Sequence, residues 1–376
     1  MTAPALRVLH LVANRWWTGS ADPVIRLIGG LEKRGHTVRL GLIAGDRFET
    51  KAREAGIEPI AGLSLEVKGM PWTWAGDLRR LRALMRSEAI DLVHTHHSHD
   101  HWLGLACRGP AALVRTFHNR RAVRGGLAAR ALYRRADALI AVSGGVEERL
   151  REVGAPMARV HRVGGVVDLA RFVADADPAA VRAELSLAGL GPIVGSVARL
   201  APNRGHELLI HGFKRLLAGH PRARLLLVGK GEARPRLENL VRELGLTRQV
   251  LFTGYRDTDL PAVLRAMDTF VLVGAGSDES CRAALEAMAA GRPVVARRIG
   301  ALPDTVAHGE TGLLVDGEAP EALEAALAAL AADPERARRM GEAGRQRAID
   351  EFSPERHAAQ VEAVYLDAVA RRRGRA

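Results

Sequence analysis

Aromatic residues are scarce in this 376-residue chain, at 4% of the total: five Trp, three Tyr and seven Phe. A core so poor in rings must be packed from Leu, Val, Ala and Ile, which suits helices on a parallel sheet better than a β-sandwich. Cysteine is nearly absent too. Cys107 and Cys281 stand far apart with no CxxC or CxxH partner. That excludes a disulfide framework and a structural zinc site, and predicts a reducing compartment. No apolar run approaches the roughly 18–20 residues that span a bilayer. Met1 to Ala13 lacks the basic start and small-residue cleavage site of a secretory signal. There is no G-x-S-x-G and no Walker A. Gly229-Lys230-Gly231 lacks the third glycine of a dinucleotide fingerprint, which argues against a nicotinamide enzyme. Together these absences predict a soluble cytoplasmic chain.

What is present is regular alternation. With 47% hydrophobic residues, the chain is long enough for two cores. Strand signals are read at Arg7–Ala13, Thr37–Ile43, Leu92–Thr95, Ala112–Phe117, Ala138–Val142 and Val160–Val163, each followed by a helical stretch or a turn. The pattern restarts after Pro178, at Ile193–Val197, Arg224–Val228, Val250–Phe252, Thr269–Val273, Pro293–Ala296 and Gly312–Val315. Repeated β-then-α units require a parallel sheet with right-handed crossovers. The fold class is therefore α/β, with two doubly wound Rossmann-like domains facing across a cleft. The predicted boundaries are 1–168 for the first domain and 169–351 for the second. Residues 352–376 form a helix, opened by Ser353-Pro354, that packs back on the first domain.

Charge is unevenly spread. Of the net +12, residues 1–172 carry 27 Lys+Arg against 16 Asp+Glu, so the basic excess lies in the first half. Residues 108–135 hold eight arginines (Arg108, Arg115, Arg120, Arg121, Arg124, Arg130, Arg134 and Arg135) and no acidic residue before the Arg135 boundary. Arg120–Arg135 reads as a loop entering a helix with Leu127, Ala131 and Leu132 on one side. A solvated surface is one reading; a docking face for an anionic partner is the other. Nucleic acid is disfavoured, because only Phe117 and Tyr133 interleave the arginines as stacking rings.

Ligands of open parallel sheets bind beyond the carboxyl ends of strands. Two segments there carry chemistry. In Gly195–Gly205, Arg199 and Arg204 precede a helix start; two guanidiniums beside free helix N–H groups suit a diphosphate, and two solvated arginines at a helix start are the other reading. In Ser277–Val295, Asp278 and Glu279 open a helix in which Glu286, eight positions after Asp278, sits amid Ala284, Leu285, Ala287, Met288 and Ala289. A carboxylate so placed needs partners, and sugar or ribose hydroxyls are apt ones.

These segments resemble the nucleotide-sugar half of the retaining glycosyltransferases of family 4, which have the GT-B fold. Val163–Phe172 (VGGVVDLARF), Leu227–Glu232 (LVGKGE), Leu251–Tyr255 (LFTGY) and Ala296–Val315 (ARRIGALPDTVAHGETGLLV) are similar to further family segments, as are the N-terminal RVLHLVA, DLVHTH, VRTFH and ADALIAVS. The resemblance covers almost the whole chain and implies that 1–168 is the acceptor-side domain and 169–351 the nucleotide-sugar-binding domain. It implies sugar transfer from a nucleoside-diphosphate sugar (UDP-sugars first, GDP-sugars next) to a lipid-linked or glycan acceptor, with retention and without a metal or other cofactor. It implies Arg199, Arg204, His118 and Asp278 as catalytic groups. Donor contacts would come from Gly19, Ser196, Glu279, Ser280, Cys281, Arg282 and Glu286 beside them. Trp16, Trp17, His97, Arg120, Arg121 and Arg124 would lie on the acceptor or membrane side, placing the protein at the inner face of the plasma membrane. The sequence departs from the family at three points. Arg204 stands where Lys is usual, Asp278 replaces a Glu, and Arg15–Ser20 replaces a Gly-Gly loop.

Other readings of the same residues are a nucleotide-sugar epimerase or hydrolase on this fold, and a non-catalytic sugar-nucleotide or glycan binder. The run His94-Thr95-His96-His97-Ser98-His99-Asp100-His101 suggests a metal, but no second cluster is evident to complete a tetrahedral site, so a polar loop at a strand end is expected. Asp175-Ala176-Asp177 and Asp257-Thr258-Asp259 are read as accidental D-x-D matches.

Overall fold

Among the described residues of the computed structural model (4–15, 21–66, 71–174, 176–274 and 279–374), twelve strands form two six-stranded sheets, every pairing parallel. The first sheet contains β1 (Arg7–Val12), β2 (Thr37–Leu42), β3 (Leu92–Thr95), β4 (Ala112–Phe117), β5 (Ala138–Ala141) and β6 (Val160–Arg162), in the order β2-β1-β3-β4-β5-β6. The second contains β7 (Ile193–Val197), β8 (Arg224–Val228), β9 (Val250–Gly254), β10 (Thr269–Leu272), β11 (Val294–Arg297) and β12 (Gly312–Val315), in the order β12-β11-β10-β7-β8-β9. Read from its other edge, the second sheet has the 3-2-1-4-5-6 order of a dinucleotide-type fold, with its reversal between β7 and β10. The first reverses between β1 and β3. Such reversals leave a crevice at the carboxyl ends of the two strands, because their crossovers leave toward opposite sides.

The chain groups into two units. One holds residues up to Gly165, Glu279 and Ser280, and the helix from Pro354. The other holds Val166 to Gly274 and Cys281 to Ser353. In each unit, apolar clusters cover both faces of the sheet, as parallel strands require. The helix Pro354–Arg373 is part of the first unit's core through Ala358, Val361, Tyr365 and Ala368. It lies so close to the helix Ala21–Lys33 that a Cβ on Gly30 would stand 2.7 Å from the Ala358 Cβ. Buried Glu362 fixes this contact by accepting from Arg34 and, at 2.8 Å, from His36 Nε2.

Three sequence expectations are corrected here. The basic stretch 108–135 is not one exposed face. Arg108 is buried against Asp137 at 2.7 Å, and Arg115, on the fully buried strand β4, lies over the Phe117 ring at 4.3 Å and donates to Ser98 Oγ. The other six arginines are exposed. Within the helix Leu127–Arg135, the buried face is Leu132 and Tyr133, while Leu127 is 83% exposed. Finally, the helix after β10 opens at Arg282, so Glu279 does not begin it.

Candidate functional site

In the second unit the reversal between β7 and β10 is built on glycines. Arg199 follows β7, and the backbone from Ala198 to Ala201 is stitched to the β8 loop by Ala198 N–H to Val228 O and Leu200 N–H to Lys230 O. A Cβ on Gly229 would fall 2.0 Å from Ala198 O, and one on Gly231 would fall 2.2 Å from Leu200 O. Only glycine permits that approach. Arg204 is held the same way: a Cβ on Gly274, just after β10, would lie 2.6 Å from its backbone. Gly205 then turns the chain at φ 73° into the helix His206–Leu216, whose N-terminus has no side-chain cap. The first N–H groups of that helix thus point out at the crevice between β7 and β10, where its dipole favours an anion.

The two arginines differ in exposure. Arg199 is 66% exposed and pairs with Glu232 at 3.0 Å, whereas Arg204 is half-buried. Arg204 also bears on its neighbours: with burial as the larger cause, it pushes the His206 imidazole down to about 4. Ser196 is buried within β7. On the helix Arg282–Ala289, Glu286 is 8% exposed and ion-paired with Arg282 Nε at 3.1 Å. The Cys281 side chain is packed in the core, its backbone is left-handed, φ 54°, and its carbonyl accepts from Ala284 N–H at 2.9 Å. Asp278, Gly19, Trp16 and Trp17 lie outside the described residues.

In the first unit the reversal between β1 and β3 carries histidines. Parallel register sets His10 beside His94, and the period of two puts His94 and His96 of the β3 end on one face, as it does Thr116 and His118 of the β4 end. His10, His94 and His96 are buried with ring nitrogens within 4.8 Å of one another. The expected polar loop is therefore a buried strand end running into the helix Ser98–Cys107, and His10 is the partner that sequence spacing did not supply. The ring nitrogens of all three are hydrogen-bonded within the protein, so their lone pairs do not converge on one point. Burial holds His10 and His118 down to about 3, and His94 and His96 well below the usual range, so all four are neutral. Asp100, fully buried, ties the strand ends together by accepting N–H bonds from Ala13, His96 and His97. His97 begins that helix and is half-buried.

His96, Thr116, His118, Ser280 and His357 supply the polar lining of a cavity otherwise walled by apolar side chains such as Val24, Leu27, Ile140 and Val361. Glu279 belongs with this unit: its N–H donates to His118 O at 2.9 Å and its carboxylate accepts the Arg120 N–H at 2.9 Å. Sequence reasoning missed His10, Thr116, Tyr365 and His357. Only the strand register and the returning C-terminal helix assemble them.

Two family models match the chain: Glycosyltransferase Family 4 over residues 18–171 and Glycosyl transferases group 1 over residues 179–347. The chain is 31% identical over 313 residues to a D-inositol 3-phosphate glycosyltransferase of Corynebacterium jeikeium (strain K411), covering 76% of this chain and 74% of that protein. It is 36% identical over 224 residues to a GDP-mannose-dependent alpha-(1-6)-phosphatidylinositol monomannoside mannosyltransferase of Mycolicibacterium smegmatis, covering 58% of this chain and 59% of that one. In several such matches the chain spans only about half the length of the relative. A glycosyltransferase structure from Rickettsia africae ESF-5 superimposes with a TM-score of 0.84 at 19% identity, covering 97% of this chain and 99% of that one, a likeness of fold.

Proposed function

The chain belongs to the family 4 glycosyltransferases, and on that premise we propose that it moves a sugar from a nucleoside-diphosphate sugar to a lipid-linked or glycan acceptor with retention of anomeric configuration. The observation that carries this reading is the pair Arg199 and Arg204 beside an uncapped helix N-terminus at the β7/β10 reversal. Departure of the diphosphate builds negative charge, and fixed guanidiniums and N–H dipoles stabilise it without reorganising. These groups supply the positive charge that a metal would otherwise bring, so transfer is expected to survive chelation. Glu286 is proposed to accept from the ribose hydroxyls, and His118 and Asp278 to lie at the sugar. GDP-mannose, named in the M. smegmatis relative, joins the UDP-sugars as a donor to test. Thermal-shift screening of UDP-, GDP- and ADP-sugars tests the reading, since a ligand at roughly 100 times its dissociation constant adds about 2.7 kcal/mol. If no nucleotide sugar shifts the transition, the proposal is wrong.

Glu286→Gln should weaken donor binding by roughly 1–3 kcal/mol, because the amide keeps the volume but loses the charge that Arg282 and a ribose both read. Calorimetry with the nucleoside diphosphate measures it. Unchanged affinity would leave Glu286 as a helix residue paired with Arg282 and nothing more.

The acceptor side is proposed to meet an anionic membrane surface. No helix among the described residues is long and apolar enough to cross a bilayer. The first unit instead exposes Arg120, Arg121, Arg124, Arg130, Arg134 and Arg135 around Leu127, and it also exposes Trp72 (67%) and Trp102. Each arginine near an anionic surface contributes about 1 kcal/mol, and salt screens it. The protein should pellet with anionic liposomes at low salt and be released at high salt. Equal, negligible pelleting with neutral and anionic vesicles at both salt concentrations would remove the membrane from this proposal.

A further inference from the structure

Six buried groups of the first unit form one unbroken hydrogen-bonded chain. Thr116 Oγ1 meets His94 Nε2 at 2.8 Å, and His94 Nδ1 meets the Tyr365 hydroxyl at 2.7 Å. That hydroxyl meets His10 Nε2 at 3.1 Å, His10 Nδ1 meets His96 Nε2 at 3.2 Å, and His96 Nδ1 meets His118 Nε2 at 3.2 Å. Both ends, Thr116 and His118, line the same cavity. Four strands and helices contribute: β1, the ends of β3 and β4, and the helix Pro354–Arg373.

Proton counting constrains this chain sharply. A neutral imidazole has one N–H and one bare nitrogen, so an imidazole that accepts on one side must donate on the other. Tyr365 has a single proton between two imidazoles and must donate to one and accept from the other if no buried group is to go unpaired. Only two arrangements fill every link. In one, protons point from Thr116 toward His118, which presents Nδ1–H to the cavity. In the other, they point back, and His118 presents a bare Nδ1. Charging any member is disfavoured, because burial lowers the pKa of all four imidazoles and raises that of the Tyr365 hydroxyl.

We propose that this chain locks His118 in a single tautomer, with His94, Tyr365, His10 and His96 as its positioning residues. A cavity-lining imidazole that were free to exchange tautomers would offer a donor to a hydroxyl in one molecule and an acceptor in the next. The lock presents the same hydrogen-bonding group to every ligand. Since changing polarity requires all four imidazoles to exchange tautomers and both hydroxyls to turn together, the tautomer is a property of the whole chain and not of His118 alone. Its use at a sugar site rests on the transferase reading above; the lock itself does not.

The test uses the full chain labelled with ¹⁵N-histidine, without substrate, near pH 7.5. Long-range ¹H–¹⁵N correlations distinguish the two tautomers, and the His118 signals are identified by their loss in His118→Gln. In the unsubstituted protein His118 should show one tautomer. Tyr365→Phe keeps the ring but cuts the chain, and should lower the His118 tautomer ratio by roughly tenfold, toward a mixture. Thr116→Val, which cuts the far end and leaves the helix Pro354–Arg373 in place, should act in the same direction if Tyr365→Phe fails to fold. A His118 that already exchanges in the unsubstituted protein, or that is unchanged in the folded variants, overturns the inference. So does zinc co-purifying at one per chain, since metal ligation would break the links at His10, His94 and His96. Loss of nucleotide-sugar binding with the lock intact would instead count against the transferase reading alone.

Discussion

Acidification from pH 6.5 to pH 4.5 should unfold the first unit well before the second. The unfolded-state imidazole titrates near 6.5. In the folded protein, burial holds His10 and His118 at about 3 and moves His94 and His96 in the same direction. Below pH 6.5 the unfolded chain therefore binds protons that the folded chain refuses. The sign follows: the stability is fully present above pH 6.5 and is lost as pH falls toward the folded values. Each such group costs about 1.4 kcal/mol per pH unit, so His10 and His118 alone remove about 3 kcal/mol per unit. A domain stable by about 5–15 kcal/mol cannot lose that for two units and remain folded with much margin. Among the shifted imidazoles, the second unit has His206, at about 4, as its one clear counterpart. Hydrogen exchange at successive pH values would read the two units separately. Protection lost in both units at the same pH, or a first unit indifferent to pH between 6.5 and 5, would contradict the neutral, buried state of the histidine chain.

The histidines also show what sequence can and cannot carry. The strands were legible, because each is a short apolar run bounded by turn residues, and the strands observed depart from those read by a residue or two at their ends. Arg199 and Arg204 were legible as a pair because their position between a strand and a helix is local. His10 was not, since it stands 84 residues from His94 and only the β1–β3 register makes them neighbours. Tyr365 was further still, on a helix whose return to the first unit places it over β1 and β3. Burial of charge was equally opaque. Arg115 looked like one of eight surface arginines, although its setting in ALVRTF, apolar on both sides, is what a strand covered on both faces shows. The helix start after β10 was misplaced because Cys281 adopts a left-handed conformation that a non-glycine residue rarely takes, and no composition signal marks it.

Arg204→Ala should lower turnover by roughly 10²–10³-fold while leaving the fold in place. The argument rests on preorganisation. The Arg204 backbone is clamped between Gly205, whose Cβ position is filled by Val273, and Gly274, whose Cβ position is filled by Arg204 itself. A guanidinium on so fixed a backbone needs little reorganisation when charge builds on the departing diphosphate, and that is where fixed donors yield rate and not only affinity. The Arg199 backbone is held as closely by Gly229 and Gly231, but its side chain is 66% exposed and its charge is engaged by Glu232. Arg204→Ala should therefore cost more than Arg199→Ala. Arg204→Lys should retain activity within about tenfold of the original, since it keeps the charge and loses only the two-pronged geometry. The measurement is turnover at saturating donor for the three variants, with thermal unfolding run alongside. If Arg204→Ala turns over like the unsubstituted protein, the diphosphate does not bind at the β7/β10 reversal. If Arg204→Ala and Arg199→Ala fall equally while Arg204→Lys holds, the charge matters there but the clamp does not. Because Gly274→Ala would force a methyl against the Arg204 backbone, it should reproduce much of the Arg204→Ala loss without touching a charge, and that result would tie the rate to the glycine-built geometry.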